Sequence, residues 1–564
     1  MHRRQIVFSL TVSLLAACGT SRSPTPTLEP TPARPTRTPP PPATAVPTIS
    51  PVILQVGKPL SEHRGRYFAA SGVCTPCHQN LEDDSGADVS IDAFWRSSMM
   101  ANSARDPFWQ ASVRYEIISN PEAAASIEDT CATCHMPMAR YTESVGGEQA
   151  VVFQSGLTDP DHALHDLAMD GVSCTLCHQV LEEGLGFQTS YNGGFEVDIE
   201  IAAGERVVYG PYSVEEPYLV AMQEASGYIP AQGLHLGDSE LCGTCHTFFV
   251  GSSFPLQTTY FEWFYSDFRG VQTCQDCHMP EAVGGVRIAS SSEFPRSPFA
   301  EHVLVGGNAY MLELLKTFVD ELGLTASAEQ FEVTQQRTVE QLQNQTVELE
   351  IEEMRLSGGR LTADIRIKNL AGHKFPSGFP SRRAWIRFVI GDSSGQIVFE
   401  SGGVDALGRI IHNNGDDDPT LFEPHYLAIV QPEQVQIYES VMADANGEIT
   451  TELMGAVEYL KDNRIMPAGQ DKFSDVESIQ PRGKAVGDED FQGGVDEIQY
   501  AIDLRQEQGP FTVTIEVLYQ SIGHPWTEAL RGLGSDEVER FLRLYDAVPN
   551  IPVVVARESI EIGE

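Results

Sequence analysis

Basic residues are scarce in this chain of 564 residues, which has 37 lysines and arginines against 79 aspartates and glutamates and a net charge of −42. This balance disfavours duplex DNA, RNA and anionic lipid as partners, because all three are negatively charged. After the first 17 residues the chain also lacks an apolar run near the roughly 18 residues that a spanning helix needs. We therefore expect no nucleic-acid partner and no spanning helix in the folded part.

Cysteine is used for one pattern and almost nothing else. The chain has eleven cysteines, of which ten belong to five C-x-x-C-H motifs, so no pair remains for a structural disulfide. The motif cysteines are Cys74 and Cys77, Cys131 and Cys134, Cys174 and Cys177, Cys242 and Cys245, and Cys274 and Cys277. The histidines that follow them, in motifs 1 to 5, are His78, His135, His178, His246 and His278.

The spacing of the motif has a chemical reason. Two cysteines three residues apart on a helical turn lie on one face, where their sulfurs can form thioethers with the two vinyl groups of one haem. The next histidine can then bind the iron. Zinc ribbons pair two C-x-x-C knuckles and require no following histidine, and a redox dithiol usually occurs once. The motifs therefore predict five covalently attached haem c groups.

The second axial ligand of each iron decides between an electron carrier and an enzyme. Nine histidines lie outside the motifs and the N-terminal segment: His63, His162, His165, His235, His302, His373, His412, His425 and His524. We predict His165 and His235, which precede motifs 3 and 4, and His302, which follows motif 5, as ligands; His63 and His162 are further candidates. Met99, next to Met100, is a candidate thioether ligand, or packs against a porphyrin.

The N-terminal segment predicts export. It reads MHRRQIVFSLTVSLLAACGT, a basic start followed by a short apolar run, which is typical of a signal peptide over residues 1–17. The end of this run resembles a bacterial lipobox, in which Cys18 would be lipidated; an ordinary signal peptide with an A-x-A cleavage site is the alternative. Residues 18–52 are rich in proline and threonine and predict an extended linker. We expect an extracytoplasmic protein anchored to a bacterial membrane by lipid.

The folded part divides into two regions. Residues 53–344 contain all five motifs and predict a loop-rich, mainly α-helical pentahaem domain, with helical patterns over residues 93–102, 107–117, 258–268, 308–321 and 327–343. Residues 345–564 alternate apolar and polar positions between turn signals and predict a β-sandwich of roughly seven to nine strands. Helices are expected there over residues 535–548 and, briefly, near 451–460. The predicted fold class is α+β.

The motifs and their surroundings resemble a known family. With SSMMANSARDPFW, DGVSCTLCHQ, SELCGTCH and QTCQDCHMP, the chain resembles bacterial multihaem cytochromes c of the c-552/c-554 type and, more distantly, hydroxylamine oxidoreductase. The segment NLAGHKFPSGFPSRRAWIRFVI resembles a β-sandwich module that accompanies such haem domains. The resemblance implies His373 as a ligand across the domain interface, or as a residue that organises its loop. Arg382, Arg383 and Trp385 would support the interface or pair with haem propionates.

Three functions are compatible with these observations. The first is electron transfer along five haems between other redox proteins, which needs no substrate pocket. The second is an oxidoreductase that acts on a small nitrogen or sulfur compound at a five-coordinate haem. Pentahaem nitrite reductases replace one motif histidine by lysine, whereas all five motifs here end in histidine, so we favour the carrier. The third is a binding role in which the β-sandwich docks a partner.

Overall fold

A computed structural model of the protein describes residues 57–251 and 253–563. The predicted signal peptide, Cys18 and the linker up to residue 52 lie outside the described residues, and so does Ser252. The helices are α1 (Ile91–Trp95), α2 (Pro107–Ser119), α3 (Ala124–His135), α4 (Pro137–Val145), α5 (His165–Met169), α6 (Cys174–Cys177), α7 (Tyr218–Ser226), α8 (Ser239–Gly243), α9 (Thr259–Phe264), α10 (Cys274–His278), α11 (Ala309–Thr317), α12 (Ala328–Gln345), α13 (Asn414–Asp417), α14 (His524–Glu528) and α15 (Asp536–Ala547).

Strands are few before residue 346 and dominate after it. The strands are β1 (Arg206–Gly210), β2 (Tyr228–Gln232), β3 (Phe248–Val250), β4 (Phe254–Gln257), β5 (Val347–Ser357), β6 (Arg360–Asn369), β7 (Arg383–Gly391), β8 (Ile397–Ser401), β9 (Ala428–Ile429), β10 (Ile437–Tyr438), β11 (Ser440–Ala443), β12 (Ile449–Thr450), β13 (Glu458–Asp462), β14 (Val495–Asp503), β15 (Phe511–Gln520) and β16 (Val553–Ile562). We call residues 57–345 the motif half and residues 346–563 the sheet half. The predicted α+β class is confirmed.

Two sheets of the sheet half pack face to face around one apolar core. One sheet has the strand order β10-β7-β15-β16, with β8 also paired to β7, and the other has the order β5-β6-β14-β9. Alternate residues of β6 and β14 are buried, which is typical of strands with one covered face. Phe388 and Tyr500 stack across the two sheets, with ring centroids 4.1 Å apart and planes 11° apart. A third sheet of the sheet half has three strands in the order β12-β11-β13.

The helices of the motif half begin at recognisable caps. The carboxylate of Asp106 accepts hydrogen bonds from the backbone N–H groups of Phe108 and Trp109, and Pro107 is the first residue of α2. Ser327 and Gln330 form a capping box at the start of α12. Motif 5 is itself the short helix α10, which a Thr273–Asp276 capping box begins. Local sequence therefore determines where these helices start.

The two halves are in contact, and all described residues belong to one compact unit. Helix α15 of the sheet half packs on α2: Phe541 contacts Phe108, and Arg114 forms an ion pair with Glu537 at 2.9 Å. At a second junction, the buried carboxylate of Glu116 accepts backbone hydrogen bonds from residues 453 and 454, at 2.7 and 3.0 Å. The predicted boundary at residues 344–345 falls at the end of α12, and remains a prediction.

Several predicted helices differ from the structure. The prediction of a helix near residues 451–460 is wrong, because residues from Glu458 onward form strand β13, which pairs with β11. The helix predicted over residues 93–102 ends at Trp95; the Asn102 side chain donates to the carbonyls of Arg96 and Ser98 and competes with helical bonding. The helices predicted over residues 258–268 and 308–321 end at Phe264 and Thr317.

We find no helix among the described residues that has the length and apolar character needed to cross a membrane.

Candidate functional site

Most of the motifs lie on helical turns. Motif 2 ends α3, motif 3 forms α6, motif 4 overlaps α8, and motif 5 forms α10. Motif 1 follows a short 3₁₀ helix, Ser71–Val73, and lies in turns. All ten motif cysteines are half-buried, and none is joined to another in a disulfide. Each pair of sulfurs can therefore reach one ligand from the same face of a turn, as the thioether chemistry requires.

The structure brings the five motifs together as one connected group. The thiol of Cys74 in motif 1 contacts that of Cys174 in motif 3. In motif 4, Cys245 contacts Cys134 of motif 2, and Cys242 contacts Cys274 of motif 5. Cys177 of motif 3 lies close to both cysteines of motif 4. The contacts join motif 1 to 3, 3 to 4, and 4 to both 2 and 5.

Four of the five motif histidines share one orientation. The Nδ1 atoms of these four bond to backbone carbonyl oxygens: His78 to Ile288 at 2.6 Å, His135 to Ser103 at 3.1 Å, His178 to Tyr209 at 2.6 Å and His278 to Val305 at 2.5 Å. The fifth, His246, differs, because its Nδ1 lies 3.0 Å from the side-chain amide nitrogen of Gln257, which is a donor and not an acceptor. Metal-binding histidines use their second nitrogen as the first four do, which leaves Nε2 to bind the metal.

Burial keeps these imidazoles neutral. It lowers the pKa of His135 to about 4, against a small opposing effect of the Ser103 carbonyl. Burial also lowers the pKa of His246 to about 4, with further contributions from His278 and Arg382. The pKa values of His78, His178 and His278 are lowered for the same reason. A neutral imidazole is the form that binds metal.

Two motif histidines face a second imidazole. The ring centroids of His178 and His302 are 6.4 Å apart, with planes 17° from parallel. Those of His278 and His373 are 6.2 Å apart, with planes 16° from parallel. Two imidazoles that bind one metal from opposite sides at about 2 Å have centroids about 6.3 Å apart, given a ring radius of about 1.1 Å. Both pairs fit this arrangement.

His302 and His373 also have the orientation that such ligands need. The Nδ1 of His302 lies 3.0 Å from the carbonyl oxygen of Ala300, and that of His373 lies 3.1 Å from the carbonyl oxygen of Lys374. Burial lowers the pKa of both imidazoles, that of His302 to about 4. In both side chains Nδ1 is therefore engaged by a carbonyl oxygen, and Nε2 is the nitrogen that remains to bind a metal.

The other predicted ligands are placed differently. His165 begins α5, and its Nδ1 bonds to the Leu157 carbonyl at 3.0 Å, so it has the same orientation as four of the motif histidines. The Nε2 of buried His235 donates to the Val180 carbonyl at 2.9 Å, which leaves only its Nδ1 to bind a metal. Met99 packs against the apolar cluster of α2, α11 and α15. These three assignments stay predictions.

The structure corrects two of the residues expected at the interface. Arg383 is buried and forms a two-point ion pair with Asp416 of the sheet half, with one contact at 2.9 Å. The Trp385 ring is fully buried, and its Nε1 donates to the Gly402 carbonyl. Both side chains lie on the same face of β7, because residues two apart in a strand point the same way, and both find their partners within the sheet half. Arg382 alone lies near His246, His278 and His373.

A buried cluster in the sheet half has the composition of a metal site. The ligand atoms of His425, Asp488 and Asp496 lie within 4.8 Å of one another. Amide groups of Gln436 and Asn463, oriented by further backbone bonds, lie 2.9 and 3.1 Å from His425 Nδ1 and donate to it. The ring proton is therefore on Nε2, which donates to Asp488 at 2.9 Å. This cluster is a hydrogen-bond network, because a protonated nitrogen cannot bind a metal ion.

Two features of the site were not foreseen from the sequence. Trp109 stacks on the His135 ring at 4.5 Å with planes 6° apart, and Gln257 occupies the Nδ1 side of His246. Trp109 belongs to the segment DPFW and lies two residues after the proline that begins α2. This position indicates a buried residue near a helix start, but it does not indicate a contact with a motif histidine. The backbone carbonyls that orient the histidines carry no sequence signal.

Comparisons with known proteins give one result. No family model matches the chain, and no curated protein matches it. A solved structure similar to this chain is a penta-heme cytochrome c552 from Thermochromatium tepidum, with 17% sequence identity, a TM-score of 0.47, and coverage of 84% of this chain and 96% of that chain. We base the proposed function on the motifs and their geometry.

Proposed function

We propose that this protein is a multihaem c-type cytochrome that carries electrons along five covalently bound haems. The observation that supports it best is the convergence of five C-x-x-C-H motifs into one connected group, with two of their histidines faced by a second imidazole at the spacing of an iron's axial ligands. Bound haem would supply one-electron chemistry at each motif. Residues of this chain would hold it by the paired thiols and a neutral Nε2.

The geometry favours a carrier for at least two of the haems. An iron with imidazoles on both sides has no open position for a substrate, so His178 with His302, and His278 with His373, suit electron transfer. Because cysteines of different motifs lie close to one another, haems attached to them would also be close together, as rapid transfer between them requires. Donor and acceptor would be other redox proteins, and the net charge of −42 favours partners with a basic surface.

The test begins with haem attachment. The purified mature protein is expected to keep its red colour in acid acetone, and its intact mass to exceed the polypeptide mass by five haems and the lipid proposed below for Cys18. Cys177→Ser removes one of the two thioether donors of motif 3 and is expected to lower the number of stably attached haems by one. Ser291→Ala, at an exposed turn position outside the motifs, should leave the count at five. Haem that washes out of the native protein would contradict the proposal.

The second test separates the carrier from an oxidoreductase. Electron paramagnetic resonance of the oxidised protein is expected to show low-spin ferric signals, and two of them should disappear in His302→Ala and His373→Ala respectively. Carbon monoxide binding by the reduced wild-type protein, together with a high-spin ferric signal, would indicate an open iron. That result would favour an enzyme that acts on a small nitrogen or sulfur compound.

We also propose an extracytoplasmic location with a lipid at Cys18. The basic start, the apolar run and the L-A-A-C sequence of the first 18 residues support it. Cells that produce the protein are expected to incorporate labelled palmitate into it, and Cys18→Ala should abolish the label without changing the haem count. Labelling that persists in this variant would place the lipid elsewhere, and no labelling at all would favour an ordinary cleaved signal peptide.

A further inference from the structure

The loop that carries His373 is held by four buried charged side chains. Lys374 and Glu262 have 0% of their surface exposed, Asp462 has 2% and Arg464 has 7%. We call these four residues the Glu262 quartet. A buried charge is costly unless it is paired, so such a group is retained only where each member has a partner of opposite charge.

Within the quartet each charge is paired. Lys374 Nζ lies 2.7 Å from Asp462 Oδ2, and two nitrogens of Arg464 lie 2.8 Å from the same carboxylate. Arg464 also reaches Glu262 Oε1 at 3.4 Å. Two carboxylates and two cations balance, and the group as a whole is neutral. Removing one member would leave a buried charge without its counterion.

Glu262 is the member that comes from the motif half. It lies on α9, between motifs 4 and 5, and the Thr258 hydroxyl donates to it at 3.2 Å. The other three come from the sheet half, in the His373 loop and at the end of β13. Besides the ion pair with Arg464, Glu262 Oε2 accepts the backbone N–H of Lys374 at 3.0 Å. One carboxylate thus joins α9 to the loop that carries His373.

The same peptide segment orients the imidazole. The Lys374 N–H bonds to Glu262, while the Lys374 carbonyl bonds to His373 Nδ1. On the other side, residues 375 and 465 exchange backbone hydrogen bonds at 2.9 and 2.8 Å, and the Asn369 side chain donates to the His373 carbonyl at 2.8 Å. With Nδ1 fixed in this way, Nε2 is the nitrogen left to bind a metal, and the centroid of the His278 ring lies 6.2 Å from that of His373.

We propose that Glu262 is a positioning residue for the haem of motif 5. Its carboxylate accepts the hydrogen bond of the Lys374 N–H, holds this peptide against α9 and so fixes the position of His373, a ligand supplied by the sheet half. This inference rests on the proposed function. It assigns the sheet half a role in the redox chemistry, since motif 5 acquires its second imidazole only when this loop is docked on α9. The haem of motif 3 has no such dependence, because His302 belongs to the motif half.

The test uses the full-length, haem-loaded protein and two substitutions. Glu262→Ala removes both the charge and the acceptor for the Lys374 N–H. Glu262→Gln removes the charge but keeps an oxygen that can accept this bond. Glu313→Gln, on α11 of the same half, is the matched control, because it removes a half-buried carboxylate that pairs with Lys316 at the helix surface. Readouts are haem count, the low-spin signals and a redox titration.

In Glu262→Ala we expect loss or displacement of the low-spin signal that His373→Ala abolishes, with the signal that His302→Ala abolishes unchanged and five haems still attached. In Glu262→Gln we expect that signal to remain and the potential of the same haem to shift upward, because a nearby negative charge that disfavours the reduced form has been removed. Glu313→Gln should change neither signal nor potential.

The inference would be overturned if Glu262→Ala folded with five haems and left both signals and all potentials as in the wild-type protein. If Glu262→Ala did not fold, the Glu262→Gln variant would decide. An unchanged potential of the motif 5 haem would overturn the inference. An upward shift of the potential of that haem alone would support the inference. Failure of the proposed function is distinguishable, because His373→Ala would then alter no low-spin signal in the first place.

Discussion

The two imidazole pairs are alike in geometry and differ in origin. His302 follows motif 5 within the motif half and faces His178, whereas His373 comes from the sheet half and faces His278. The first pair requires only that the motif half is folded, because both of its histidines belong to that half. The second needs a folded sheet half, docked through the Glu262 quartet. If the two pairs bind haem iron as proposed, the sheet half, which has no cysteine, would supply a ligand to a cofactor attached to the other half.

The largest expected effect comes from breaking the core of the sheet half. Phe388→Ala removes a fully buried ring that stacks on Tyr500 between the two sheets, and we expect a loss of about 3–5 kcal/mol in the free energy of unfolding. Urea unfolding measures this loss. Because His373 depends on the sheet half, the motif 5 low-spin signal should be lost at lower urea concentration than the motif 3 signal. Loss of both signals at one concentration would contradict the comparison.

The control for this variant lies in the same sheet. Ile397, on β8, is 50% exposed, so Ile397→Ala should change the free energy of unfolding by less than about 1 kcal/mol. An equal loss in both variants would show that the Phe388–Tyr500 contact does not carry the stability of this core.

A smaller effect is expected at the second junction between the halves, where it depends on pH. Burial raises the pKa of Glu116 from its ordinary 4.5 to about 7, although the backbone N–H groups of residues 453 and 454 oppose this. The folded protein therefore binds a proton that the unfolded chain releases, and stability should fall as pH rises from about 4.5 to 7. The shift corresponds to about 3 kcal/mol. In Glu116→Gln this part of the pH dependence should vanish.

Urea unfolding between pH 4 and pH 8 measures this difference, with Glu122→Gln as the control, because Glu122 is exposed in the turn after the same helix. A wild-type protein whose stability does not decrease over this range, or a Glu116→Gln variant with the same slope as the wild type, would be inconsistent with a protonated Glu116 at the junction.

The smallest effect concerns α12, the helix that connects the two halves. Ser327 accepts a hydrogen bond from the Gln330 N–H in the capping box, and Ser327→Ala should lower the free energy of unfolding by about 1 kcal/mol. Ser291→Ala, an exposed turn position, should change it by less than about 0.5 kcal/mol. Both low-spin signals should be unchanged at pH 7 without urea. A selective loss of the motif 5 signal in Ser327→Ala would indicate that α12, rather than the Glu262 quartet, aligns the two halves.

Local patterns were enough to predict much of the fold. The helical patterns that begin at residues 107 and 327 locate the starts of α2 and α12 to within one residue. The alternation of apolar and polar residues after residue 346 predicts strands with one buried face, as β6 and β14 have. The segment near residues 451–460 was predicted wrongly, because its pairing with β11 and its bonds to Glu116 come from distant parts of the chain.

The sequence by itself determined which atoms can hold the cofactor, because a thiol pair and an adjacent histidine on one turn are set by covalent spacing alone. Only the tertiary structure decided which motifs are neighbours, which imidazoles face one another, and that a glutamate of α9 holds the loop of His373. Those relations join residues about a hundred positions apart, such as Glu262 and Lys374, and no local pattern records them. They arise when buried charges and backbone groups must find partners as the two halves close on each other.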